Sequence, residues 1–116
     1  FADSFALTRD SMQFFWAQYL GPDGEAAGEG HKPYASPIRA ESLAGLPDTT
    51  VITAQNDPLL DEAADYAAAL KMVGVDTTYT EYPGMAHAFN ELVGIFDAAR
   101  VAVGEACKRI RTSFAE

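Results

Sequence analysis

Two strand-like runs, Thr49 to Ala54 ("TTVITA") and Asp76 to Tyr82 ("DTTYTEY"), stand on either side of an alanine-rich stretch, "NDPLLDEAADYAAALKMVG", that ends at Gly74. β-Branched residues suit the pleated chain, and a glycine just past a periodic stretch is a helix C-cap. A strand joined to a strand through a helix is a βαβ unit, with parallel strands and a right-handed crossover. A parallel sheet is normally covered on both faces, and two strands are too few to make a stable one. No internal repeat supplies more strands, so the chain either pairs with another copy or is the tail of a larger α/β domain.

Helical patterns flank this unit. Between Thr8 and Leu20 the residues Met12, Phe15, Trp16, Tyr19 and Leu20 recur at three- and four-residue steps, the period of an amphipathic helix. Thr8 or Asp10 can cap its start, and Gly21-Pro22 stops it. The following "GPDGEAAGEGHKPYASP" reads as a surface loop, and its His31, without an acidic or cysteine ligand at metal spacing, reads as solvated. At the other end, Leu92, Phe96, Ala99, Val103, Ala106, Ile110 and Phe114 line one face of a long last helix. Lys108, Arg109 and Arg111 in its final turns complement the negative end of its dipole. The predicted order is helix, strand, helix, strand, helix, and the fold class is α/β with an incomplete parallel sheet.

A chain of 116 residues forms one domain, here 1–116, because it hides only roughly two-thirds of its unfolded surface. With 8 Lys and Arg against 17 Asp and Glu its formal charge is -9, which repels phosphate backbones and anionic lipid, so no nucleic-acid partner is expected. No apolar run of about 18 residues and no basic-then-apolar leader occurs, so neither a membrane span nor a signal peptide is expected. The lone Cys107 leaves no internal disulfide and no multi-cysteine zinc site, which fits a reducing, cytoplasmic setting. Within a helical pattern, away from a helix N-terminus, it reads as a buried structural thiol.

The chemistry concentrates on two residues. Asp57 follows the first strand directly, and His87, in "PGMAHAF", follows the second after a short Pro-Gly turn. Both would sit at the carboxyl ends of adjacent parallel strands, where open α/β sheets bind ligands. A carboxylate so placed can hold an imidazole in one tautomer and stabilise the imidazolium. Three readings of the residues stand side by side. One is this acid–histidine pair; another is Asp57 as a helix cap, with Pro58 at the first helical position and His87 in the core. The third is a metal site built from Asp57, Asp61 and His87. Asp61 can also cap the helix, which would free Asp57.

The run from Ala35 to Asn90 resembles the C-terminal part of the hormone-sensitive-lipase-like family of α/β-hydrolases, which are serine carboxylesterases and lipases. The resemblance rests on Ser36-Pro37, Leu46-Pro47, Asp57-Pro58-Leu59 with Asp61-Glu62, and Tyr82-Pro83-Gly84 followed by His87 and Phe89, in that order and spacing. "FALTRDSMQFFWAQYLG" is similar to the family's preceding segment, so the likeness covers nearly the whole chain. It implies a C-terminal fragment of a catalytic domain, with Asp57 as triad acid and His87 as triad base. It further implies a small-molecule ester substrate, no metal or organic cofactor, and Leu59, Met85 and Phe89 as candidates near an apolar acyl pocket. Ala88 departs from the family's usual glycine, where an extra methyl would narrow the pocket or alter the turn.

The larger departure is the nucleophile. Neither a G-x-S-x-G elbow nor an upstream glycine-rich oxyanion turn occurs. Ala2-Asp3-Ser4-Phe5-Ala6 imitates the elbow with alanine at both glycine positions, and Ser11, Ser36, Ser42 and Ser113 lack even that frame. The expectation is therefore a part of a serine ester hydrolase that carries acid and base and is inactive alone. The alternative is a non-enzymatic α/β module that completes its sheet by homodimerisation through the free edge of "TTVITA".

Overall fold

The computed structural model describes residues 6–115, so the Ser4 frame lies outside the described residues. Its elements run helix α1 (Arg9–Leu20), strand β1 (Thr49–Asn56), helix α2 (Leu60–Met72), strand β2 (Thr77–Ala86) and helix α3 (Asp97–Ser113). This is the predicted order, and β1 and β2 pair in parallel from Thr49↔Thr77 to Ala54↔Tyr82. No helix among the described residues is long and apolar enough to cross a membrane.

Side chains alternate across a strand, so each strand presents two sets of residues. The even positions meet α3. Ala54 clusters with Phe89, Ala99 and Ala102, and Ile52, Tyr82 and Met85 pack against them. Small residues on α3 let the helix lie close to the sheet. On the odd positions, buried Thr53 donates its hydroxyl to Tyr79 Oη at 3.1 Å, so no polar group is stranded there. Helix α2 packs along both strands, and its Leu70, wholly buried, clusters with Leu43 and Val75.

The helix ends follow local chemistry. Thr8 caps α1 in a box with Ser11, each side chain accepting the other's backbone N–H. The α2 C-terminus closes with Gly74 N–H on Lys71 O and Val75 N–H on Leu70 O, and Gly74 takes the left-handed φ of 85° that this motif requires. The segment between α1 and β1 holds two short 3₁₀ turns, Glu29–His31 and Pro37–Arg39, the first of which lies against α1 at Gly30. There Ser36 Oγ donates to Gly30 O at 2.7 Å, and a Cβ on Gly30 would meet Trp16 at 2.8 Å. His31 is exposed, as its sequence context implies.

Three expectations change. β2 runs on through Pro83-Gly84 to Ala86, so this dipeptide is a bulge inside the strand and not a turn after it. The last helix runs from Asp97 to Ser113, and a 3₁₀ turn, Phe89–Glu91, occupies the stretch before it, so Leu92, Phe96 and Phe114 lie outside the helix. Its apolar stripe is only partly covered: Ala99 and Ala102 are buried, whereas Ile110 is 57% and Phe114 88% exposed. Cys107, expected to be buried, is exposed for the same reason.

Candidate active site

β1 delivers Asp57 into a tight turn. Pro58 follows it, Leu59 has φ -93° and ψ 3°, and Leu60 N–H closes on Asp57 O at 3.1 Å, the pattern of a type I turn that leads into α2. Asp57 Oδ1 accepts the Leu59 N–H at 2.9 Å. Its other oxygen, Oδ2, lies 2.8 Å from His87 Nδ1. The two oxygens of one carboxylate thus hold the turn before α2 and face the imidazole, while α2 itself has Leu59 at its N-cap and no side-chain cap, so Asp57 is not the helix cap that the sequence offers as one reading. Asp61 is exposed in the first turn of α2 and does not cap the helix either.

His87 follows the last residue of β2. Ala88 comes next at φ 61°, ψ 17°, the single non-glycine residue at positive φ among the described residues. This left-handed step turns the chain sharply into the 3₁₀ turn, where Phe89 is buried against Tyr82 with ring centroids 5.1 Å apart. The imidazole is therefore held on a corner whose far side is anchored in the core. It is 34% exposed, whereas the Asp57 side chain is 11% exposed. A carboxylate can only accept, so Nδ1 carries a proton in the pair and Nε2 is left to accept one from a bound group. Among the described residues Nε2 has no hydrogen-bond partner.

A cleft of about 330 Å³ opens beside the pair, with Ile52, Ala54, Phe89, Ala102 and Val103 in its walls together with Asp57 and His87. Phe89 lines it. Leu59 and Met85 do not: Met85 packs on the Ala54 cluster, and Leu59 contributes its backbone N–H. Asp61 does not join the pair either, and no three His, Cys, Asp or Glu side chains converge to hold a metal among the described residues.

Glu105 went unnoticed in the sequence. It accepts the Thr80 hydroxyl at 2.6 Å and the Tyr82 hydroxyl at 3.0 Å, tying α3 to β2 beneath the corner. Burial, and then the bond to Glu105 and its negative charge, push the Tyr82 phenol above its ordinary range. The available signal was two hydroxyls at alternate strand positions, which share one face and need an acceptor on whatever covers it.

A family model described as "alpha/beta hydrolase fold" matches residues 1–91. A carboxylic ester hydrolase, LipN of Mycobacterium tuberculosis, is 30% identical over 111 residues, covering 96% of this chain and 29% of that protein. The carboxylesterase NlhH of the same species is 32% identical over 103 residues, covering 89% of this chain and 32% of that protein. An esterase of Pyrobaculum calidifontis superposes with a TM-score of 0.83 at 39% identity, over 93% of this chain and 34% of that one. The chain thus spans about a third of the length of the relatives it matches.

Proposed function

The chain belongs to the alpha/beta hydrolase fold family, and on that premise we propose that it is the acid–base portion of a serine carboxylic ester hydrolase. The observation that carries this reading is the 2.8 Å contact between Asp57 Oδ2 and His87 Nδ1 at the ends of adjacent parallel strands. The names of its relatives, carboxylesterases and esterases, point the same way. Residues 1–116 form one piece of the catalytic domain.

In the whole enzyme a serine from sequence outside these residues attacks the ester carbonyl while His87 Nε2 takes its proton. The tetrahedral intermediate collapses as the imidazolium returns that proton to the leaving alcohol. Water then attacks the acyl-serine with His87 as base again. Asp57 holds the ring with Nε2 outward and stabilises its charged form. The substrate is a small ester, with Phe89 and the apolar cleft walls on its acyl side, and the mechanism calls on no metal or organic cofactor. An exposed free thiol at Cys107 persists most readily in a reducing compartment, which suits a cytoplasmic protein.

The test is hydrolysis of p-nitrophenyl butyrate. The purified chain should turn over no more ester than free imidazole does. Joined to a segment bearing a serine elbow, it should hydrolyse the ester, and His87→Ala should then reduce the rate by a factor on the order of 10⁶. Sustained turnover by the chain alone that His87→Ala abolishes would overturn the reading.

One observation favours a second reading, the self-completing module. A groove of about 610 Å³ runs beside Thr50 and Ile52 of β1 and is flanked by the exposed Ile110 of α3 and Phe114 just past its end. A cooperative dimer by light scattering, lost on Phe114→Lys, would support it; a monomer at all concentrations would end it.

A further inference from the structure

We propose that Gln55 is a positioning residue for His87, acting through the backbone of Gly84; the inference rests on the Asp57–His87 pair as the acid and base of the site. The register from Ala54↔Tyr82 to Asn56↔Ala86 sets the single residue Gln55 against Pro83, Gly84 and Met85. The regular ladder is broken there, immediately before the strand delivers His87. Pro83 has no N–H to give, and Gly84 sits at φ 72°, a backbone that L side chains rarely adopt. Left alone, this segment could slide or flatten, and the imidazole would move with it.

Gln55 supplies the missing tie. Its Oε1 accepts the Gly84 N–H at 2.8 Å, a side chain doing for the bulge what a ladder carbonyl does for the rest of β2. Gln55 lies two residues before Asp57, and Gly84 three before His87, so two ties join the same strands at successive levels. The lower one sets the height at which β2 resumes; the upper one then meets the imidazole in reach. Only an acceptor at position 55 can serve, because the partner is a backbone donor. Gln55 itself is exposed and belongs to neither buried cluster, so it serves the bulge and not the core.

The measurement is ¹⁵N NMR of the ring nitrogens of His87 in the full chain at a pH where the imidazole is neutral. Asp57 holds the proton on Nδ1, so the ratio of Nδ1–H to Nε2–H tautomers reads the quality of the pair. Gln55→Leu should lower that ratio roughly two- to tenfold, the span of one net hydrogen bond, with the thermal midpoint lowered by no more than a few degrees. Gln55→Glu, which keeps an acceptor, should restore it. An unchanged ratio in Gln55→Leu, or a fall that Gln55→Glu shares, would overturn the inference while leaving the pair intact. Asp57→Asn is the separate control on the pair. If it fails to change the ratio, or if wild-type His87 behaves as free imidazole, the pair is wrong and the inference falls with it.

Discussion

α1 and α2 are helices of nearly equal length that received opposite fates. α1 has the better local signals: a complete capping box, three- and four-residue apolar spacing and a glycine stop. Yet no residue in it is buried, and Phe14, Phe15 and Tyr19 are 58%, 61% and 65% exposed. α2 has no side chain capping it from its own N-cap position, but it buries Ala67 and Leu70. Caps and periodicity decide whether a helix forms. Whether it contributes to a core depends on a surface to receive it, and α2 has two strands on which to lie. In the proposed whole enzyme, the remaining two-thirds of the relatives' length is the material available to cover α1.

The sharpest way to break this contrast is to truncate one side chain in each helix. Leu70→Ala should cost about 2–5 kcal/mol, the range for a fully buried leucine, whereas Phe15→Ala should change stability by no more than about 0.5 kcal/mol, and urea titrations would separate them. Equal losses would mean that α1 already has its partner. Next in size, Ala88→Gly should stabilise the chain by about 1 kcal/mol, because an L residue in the left-handed region carries a penalty of roughly 1–2 kcal/mol. It tests whether the corner beside His87, unlike α1, is held against local preference by its packing. The smallest effect concerns Tyr82. Its raised phenol favours the protonated form in the fold, so the stability linked to it is full below the ordinary tyrosine value of about 10 and is lost as pH rises through the folded value. Urea midpoints should fall in that alkaline window, and Tyr82→Phe should flatten the fall.

The readable parts of the fold were those where local chemistry and global packing agree. "TTVITA" and the alanine-rich stretch behave as their composition demands, and a helix between two strands leaves few topologies. The spacing of Asp57 and His87 across one βαβ unit made their meeting legible too. The bulge at Pro83-Gly84 was not, because Pro-Gly is ordinary turn chemistry, and that β2 resumes its pairing at Ala86, with Gln55 bonded to the Gly84 amide between, is a long-range fact. The exposure of Cys107 was not legible because an apolar stripe marks the face that seeks cover, not the face that has found it, and the late start of α3 was not because the periodicity runs on through a 3₁₀ turn, Phe89–Glu91, and an extended Phe96.

The two-handed grip of Asp57 suits an aspartate as the acid of the proposed function. Its Oδ1 must reach an amide only two residues along the chain, while Oδ2 faces the ring. A glutamate would carry the carboxylate one methylene further, overshooting the Leu59 amide or crowding the imidazole. The same geometry couples the turn that leads into α2 to the aim of His87: one carboxylate holds both the Leu59 amide and the ring, so a change in that turn should register at the imidazole.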